Sequence, residues 1–209
     1  MTSMKTMKAM KPVLAMLGAA ALCGALSGCA PLLVGGAAVG GTMVATDRRS
    51  SGVQLEDETI ELKAHQRIRT TVGERTHVNV TSYQRQVLLT GEVHREADKA
   101  TVEATVQKID GVKSVVNDLA VMWPTSTSER SRDLLLAGKV KATLLDASGL
   151  ASGAFKIVVE RGVVYLMGRV TEEEATRAID LARAVPGAVK VVRLVEVITP
   201  EQLRNIKGR

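Results

Sequence analysis

Two stretches of the chain align as copies of one another: VNVTSYQRQVLLTGEV at residues 78–93 and FKIVVERGVVYLMGRV at residues 155–170. The alignment places Gly91 on Gly168. Each stretch holds two short runs of mainly β-branched, aromatic and leucine residues, separated by a polar pair. Such runs around a tight turn predict a β-hairpin. The same hairpin is therefore predicted twice in one chain.

The match continues on both sides of the hairpins. Upstream, three apolar residues spaced four apart mark one face of a helix in each copy. These residues are Ala64, Ile68 and Val72 in the first copy and Leu136, Val140 and Leu144 in the second. Downstream, residues 109–121 align with residues 185–197, and both end in runs dense in valine that predict a strand.

The duplication defines the domain organisation. Residues 57–121 form the first predicted domain and residues 131–198 the second. Between them lies a Pro- and Ser-containing linker, residues 122–130, and a tail of residues 199–209 follows. Domains of this size bury little core, so each benefits from docking on the other.

Each copy is predicted to run helix, two strands, helix, strand. In the second copy, Arg161-Gly162 supplies a glycine for the hairpin turn, and Thr171 with Glu174 forms a capping box for the second helix. A helix connects the second strand to the last, so these two strands should pair in parallel through a right-handed crossover. The expected fold class is α+β: two tandem domains, each α-β-β-α-β, with a three-stranded mixed sheet packed on two helices.

Residues 1–28 predict a lipoprotein signal peptide. A basic segment with three lysines precedes an apolar run over residues 12–25, and small residues follow. The alternative, a membrane-spanning helix, needs roughly 20 apolar residues, and this run is shorter. The tetrad Leu26-Ser27-Gly28-Cys29 resembles a bacterial lipobox, which implies that Cys29 becomes the acylated N-terminus.

Cleavage before Cys29 changes the composition of the chain. The other cysteine, Cys23, is removed, so no internal disulfide is expected. The leader also takes away three of the 28 basic residues, which leaves 25 against 22 acidic residues and a net charge of +3. Because this charge is small and the chain has only two Tyr, one Trp and one Phe, a nucleic-acid partner is not expected.

Residues 29–56 are predicted to form an acylated tether. Up to residue 46 this segment is rich in Gly, Ala and Val without a period, and it is polar beyond. Two lipid signals already suffice for stable anchoring. Ala30 stands where an inner-membrane lipoprotein often has aspartate, which favours the outer membrane as the destination.

The residue pattern does not indicate an enzyme, a metal site or a cofactor. His65, His77 and His94 are scattered over a predicted helix, a strand start and a loop, without a partner cysteine or metal-ligand spacing. Neither a nucleophile elbow nor a phosphate-binding glycine loop is present. The acidic residues after Thr171 are interpreted as the start of a helix, since they complement its positive end.

The paired glycines identify a family. One glycine follows each second strand, in QVLLTGEV and VVYLMGRVTEEEA, and another precedes each last strand, at Gly111 and Gly187. Together with the lipobox, this pattern resembles the BON domain family in its two-domain outer-membrane lipoprotein form, over nearly everything after Cys29. The resemblance implies an envelope protein that faces the periplasm, binds anionic phospholipid and helps to keep the outer membrane intact. Such proteins are often linked to division sites and to envelope stress.

The two copies differ on the outer face of their first helix. At about 100° per residue, five apolar or small residues of the second copy are predicted to face outward. These residues are Leu135, Gly138, Ala142 and Leu145 on the outer flank and Leu134 at its edge. Beside them stand the cations Arg132, Lys139 and Lys141. An apolar stripe bordered by cations is typical of a helix that lies in a membrane interface, so these eight residues are predicted to bind phospholipid. The aligned residues of the first copy are Leu62, Lys63, Gln66, Thr70 and Gly73, an ordinary solvated face.

Two alternatives to phospholipid binding remain at this point. The apolar stripe of the second copy could instead pack against the first copy or against the linker around Trp123. The protein could also be an adaptor for outer-membrane assembly or division proteins, which would add a strand to residues 78–83 or 155–160.

Overall fold

The computed structural model describes residues 47–73 and 76–207. The predicted signal peptide, Cys29 and the tether up to residue 46 lie outside the described residues. Domain 1 contains α1 (Ser51–Val72), β1 (His77–Tyr83), β2 (Gln86–Val93), α2 (Glu96–Gln107), β3 (Ser114–Asn117) and β4 (Ala120–Val121). Domain 2 contains α3 (Thr127–Asp146), β5 (Phe155–Glu160), β6 (Val163–Val170), α4 (Glu172–Arg183) and β7 (Lys190–Val197), and α5 (Pro200–Lys207) follows it.

The strand pairing confirms the predicted α+β fold. In domain 2, β5 pairs antiparallel with β6, and β6 pairs in parallel with β7. In domain 1, β1 pairs antiparallel with β2. The last strand of domain 1 is interrupted, so that β3 and β4 pair in parallel with successive parts of β2 and the sheet counts four strands.

Local sequence signals account for the turns and helix starts. Both hairpin turns place two consecutive residues at positive φ, at 51° and 73° for Arg161 and Gly162. Domain 1 makes the same turn without glycine, since Gln84 and Arg85 adopt 54° and 66°. The predicted capping box at the start of α4 is present. A second capping box, made by Ser126 and Glu129, begins α3.

Each domain has its own apolar core between its helices and one face of its sheet. The predicted helix faces supply much of these cores. In domain 1, Ala64 and Ile68 of the predicted face are buried, Val72 is only partly buried, and Ile60, one turn earlier, is buried as well. In domain 2, all three predicted residues, Leu136, Val140 and Leu144, are buried.

The opposite faces of the two sheets pack on each other and form a third apolar cluster. In β2, Leu89 points into the core of domain 1 and its neighbour Leu88 points into this central cluster. In β6, Tyr165 and Met167 point into the central cluster from the side of domain 2. Both faces of β2 and β6 are covered, and the sequence of β6 is accordingly apolar over most of its length. In β2 only Val87-Leu88-Leu89 form an apolar run, and the polar residues Thr90 and Glu92 are buried as well.

Polar contacts connect the two domains around the central cluster. Lys156 Nζ lies 2.8 Å from Glu61 Oε1, and the hydroxyl of Tyr165 donates to Asp118 over 2.6 Å. This hydrogen bond and burial raise the pKa of the Tyr165 hydroxyl, burial having the larger effect.

The segment just before α1 is also part of the folded body. Arg48 is buried and makes a bidentate contact with Glu174 of domain 2, at 2.6 and 2.7 Å. Arg49 lies 2.8 Å from Asp57 of α1, and its guanidinium is 4.4 Å from the centre of the Tyr83 ring. The predicted tether extended to residue 56, whereas in the structure α1 begins at Ser51. The segment at Arg48 and Arg49 therefore contacts both domains.

The described helices include one at the C-terminal end of the chain, and their lengths and hydropathy bear on whether any could span a membrane. The predicted tail contains a short helix, α5. Among the described residues, none of the helices is both long and apolar enough to cross a bilayer.

Candidate lipid-contact surface

The folding of α3 fixes which of its residues face outward. Its capping box satisfies the first backbone N–H groups, and Leu136, Val140 and Leu144 anchor one face in the core of domain 2. The helix therefore cannot rotate, and the residues on the opposite face are presented to solvent.

The predicted apolar stripe lies on this outer face. Leu134, Leu135 and Leu145 have exposed fractions of 75%, 65% and 53%. Gly138 and Ala142, which lie between them on the helix surface, are exposed as well. The described residues of domain 1 and of the linker do not cover the stripe.

Of the three cations predicted beside the stripe, only two are available for contact with a partner outside the protein. Arg132 and Lys139 are exposed, and within the described part of the chain neither has a carboxylate at salt-bridge distance. Lys141 is half-buried and donates from Nζ to the carbonyl oxygen of Ser152 over 3.0 Å. Burial lowers the pKa of the Lys141 ammonium. The surface therefore carries two available cations, Arg132 and Lys139, beside the stripe.

The corresponding helix of domain 1, α1, also exposes leucine side chains, but they do not form a continuous apolar stripe. Leu62 has an exposed fraction of 71%, and Leu55, two turns earlier, is also exposed. The exposed residues Glu58 and Thr59 lie between these two leucines on the same side of α1. Its apolar residues are thus isolated, as is normal for a solvated surface.

A groove of about 530 Å³ lies beside the stripe, and no sequence pattern predicted it. The residues that line it include Leu135 and Leu136 of α3, Met122 of the linker and the Pro186-Gly187 loop. Arg132 and Lys139 also line it. Three segments that are distant in sequence meet here, so no local pattern could have revealed the groove.

One polar cluster outside α3 has the residue types of a metal site. His77, Glu92 and Glu160 bring one ligand atom each within 4.8 Å of one another. These groups already have protein partners. Oε1 of Glu92 accepts from Arg161 over 2.9 Å, and Oε2 of Glu160 accepts from Asn79 over 2.8 Å. The cluster therefore fits a hydrogen-bonded network between the domains.

The geometry of this network indicates which nitrogen of His77 donates. A carboxylate oxygen only accepts hydrogen bonds, so Nδ1 of His77, 2.9 Å from Oε2 of Glu92, must carry a proton. Burial alone would raise the pKa of Glu92. Hydrogen bonds from His77, the backbone of Thr125 and Arg161 together outweigh burial and lower that pKa.

The fold and the surface define a class of protein: two copies of one α-β-β-α-β domain, packed sheet to sheet, with an apolar helix face on the second copy only. The BON domain model matches residues 56–122 and 132–199. The chain therefore belongs to the BON domain family.

Two curated relatives extend the comparison. The chain is 32% identical over 195 residues to the outer membrane lipoprotein DolP of Haemophilus influenzae, which covers 92% of this chain and 99% of that one. It is 25% identical over 154 residues to the 21 kDa hemolysin of Actinobacillus pleuropneumoniae, covering 73% and 79% of the two chains. The likeness to DolP supports an outer-membrane lipoprotein of the BON family.

Solved structures add little. The match to CdsD, a structural protein of the type III secretion system of Chlamydia trachomatis, has 14% sequence identity and a TM-score of 0.30. It covers 69% of this chain and 97% of that one.

Proposed function

We propose that this protein is anchored in the outer membrane by acylated Cys29, faces the periplasm and binds anionic phospholipid through the outer face of α3. By this contact it supports the integrity of the outer membrane, including at division sites. The observation that carries the proposal is the exposed stripe of Leu134, Leu135 and Leu145 next to the available cations Arg132 and Lys139.

Each part of this surface matches one part of a bilayer interface. Leucine side chains gain roughly 2 kcal/mol each when they are fully buried among acyl chains, and less here because they are already partly covered. A cation close to an anionic surface contributes about 1 kcal/mol. A helix that offers both can lie in the plane of the interface, with its apolar face among the acyl groups and its cations at the phosphates.

The expected strength is modest. Three partly covered leucines and two cations supply on the order of 6 kcal/mol before the costs of ordering. A free protein with this affinity would bind vesicles weakly and reversibly. Acylated Cys29 would keep the surface close to the membrane and raise its effective concentration, so that a weak contact is sufficient.

Flotation with vesicles tests the proposal. The chain from residue 29 onward, carrying Cys29→Ser so that it has no acyl anchor, is expected to float with phosphatidylglycerol vesicles and not with phosphatidylcholine vesicles. Leu135→Glu removes an apolar contact and adds a negative charge, so we expect at least tenfold weaker binding, corresponding to about 1.4 kcal/mol.

Leu62→Glu is the matched control, because Leu62 is at least as exposed as Leu135 but lies on α1 of domain 1. This variant should float like the parent chain, and circular dichroism should show that both variants are folded. Equal flotation on neutral vesicles, or unchanged binding of Leu135→Glu, would contradict the proposal.

A second candidate function is a protein adaptor. It is favoured by the position of β1 and β5, each of which lies at the edge of its sheet and pairs with a single neighbouring strand. An exposed edge can take up an extended segment of a partner. Absence of flotation, together with capture of an outer-membrane assembly or division protein by the folded chain, would favour this alternative.

A further inference from the structure

Three exposed apolar side chains lie at the groove or next to residues that line it, without belonging to the stripe on α3. Met122 lines the groove together with Leu135, and Trp123 follows it directly in the chain. The backbone N–H of Val189 donates to the carbonyl of Gly162 over 2.9 Å, and Gly162 also lines the groove. Trp123 and Val189 each have an exposed fraction of 80%.

Trp123 is held in this exposed position by its surroundings. The backbone N–H of Met122 donates to Val93 over 3.0 Å and continues the pairing of β4 with β2. The indole ring meets the ring of His94 edge-on, with 5.0 Å between the ring centres. Most of the indole surface nevertheless faces solvent. Tryptophan has an apolar ring and one polar N–H, and it is enriched where proteins meet the boundary between water and lipid.

The charges around the groove fit an anionic partner. Arg132 and Lys139 line it, and Lys190, next to Val189, is exposed. The two carboxylates of the groove are turned to the protein. Asp133 accepts from the backbone N–H groups of Arg161 and Gly162 over 2.7 and 2.9 Å, and Glu129 accepts from Ser126 in the capping box.

We propose that the lipid-contact surface extends across the groove to Met122, Trp123 and Val189, and that Trp123 anchors it in the interface of an anionic phospholipid bilayer. The inference rests on the proposed function of α3 and adds two further elements to it. Since Met122 and Trp123 directly follow β4 of domain 1, contact through them orients both domains against the membrane.

The fluorescence of Trp123 tests the inference, because it is the only tryptophan of the chain. With phosphatidylglycerol vesicles, the emission of the unacylated chain is expected to shift to shorter wavelength and to be quenched by brominated acyl chains. Phosphatidylcholine vesicles should leave it unchanged. Val189→Glu removes an apolar contact and adds a negative charge, so this variant should bind about tenfold more weakly.

Controls separate this inference from the function on which it rests. Trp123→Ser, assayed by flotation, should also bind more weakly, whereas Leu62→Glu should bind like the parent. If the chain floats and Leu135→Glu abolishes flotation, but the emission does not change and Val189→Glu binds normally, the extended surface is overturned and the proposed function of α3 stands. If the chain does not float at all, the proposed function fails and the inference fails with it.

Discussion

Gly91→Ala is expected to destabilise the protein by about 3–6 kcal/mol, enough to unfold many domains of this size. Gly91 has a φ of 107°, in a region that residues with a side chain rarely adopt. A methyl group at this position would lie 2.0 Å from the carbonyl oxygen of His77 on the paired strand. Both strain and overlap oppose the substitution, because β1 and β2 are held together along their whole length.

Gly138→Ala provides the matched control for this prediction. Gly138 lies in α3, and apart from its chain neighbours and the adjacent backbone of the helix, no atom is within 4 Å of the place where its methyl group would be. Because alanine is the better helix former, this variant should gain about 1 kcal/mol. Urea unfolding of both variants measures the difference. A Gly91→Ala protein as stable as the parent would show that β1 and β2 do not approach each other closely at this glycine.

Glu92→Ala is expected to cost about 3–5 kcal/mol. The Glu92 side chain is fully buried between the domains and faces Arg161 of domain 2 and His77 of β1. Its removal would leave the guanidinium of Arg161 without its carboxylate partner in a largely dry interface. The matched control is Glu196→Ala, since Glu196 pairs with Arg169 at the surface and should contribute less than about 1 kcal/mol.

The same carboxylate makes stability depend on pH. The pKa of Glu92 is lowered in the folded protein, so its contribution is present above the unfolded-state pKa of about 4.3 and is lost as the pH falls through the folded value. Below that range, the parent chain and Glu92→Gln should approach each other in stability. Thermal unfolding between neutral and acidic pH measures this, and a constant difference across the range would contradict the assigned network.

Local features of the fold could be predicted from the sequence because they depend on neighbouring residues. The hairpin turn at Arg161-Gly162, the capping box of Thr171 and Glu174, and the parallel pairing of the second and last strands are all confirmed. The outward position of Leu135 followed from helix geometry alone, because its neighbour Leu136 was already assigned to the core.

Contacts between distant residues could not be predicted. Arg161 is 69 positions from Glu92, and Arg48 is 126 positions from Glu174, so neither pair leaves a local pattern. The interaction of Lys141 with the carbonyl of Ser152 likewise depends on the path of the chain after α3. For this reason the sequence predicted three cations beside the stripe, whereas the structure leaves two of them available.

The most direct test of the central claim follows the backbone amide signals by NMR while phosphatidylglycerol bicelles are added to the unacylated chain. We predict shift changes along α3 from Leu134 to Leu145, and at Met122, Trp123 and Val189, with the equivalent face of α1 around Leu62 unaffected. Changes centred on α1 or on the edge strands β1 and β5, or no changes at all, would contradict the claim that domain 2 meets the membrane through this helix.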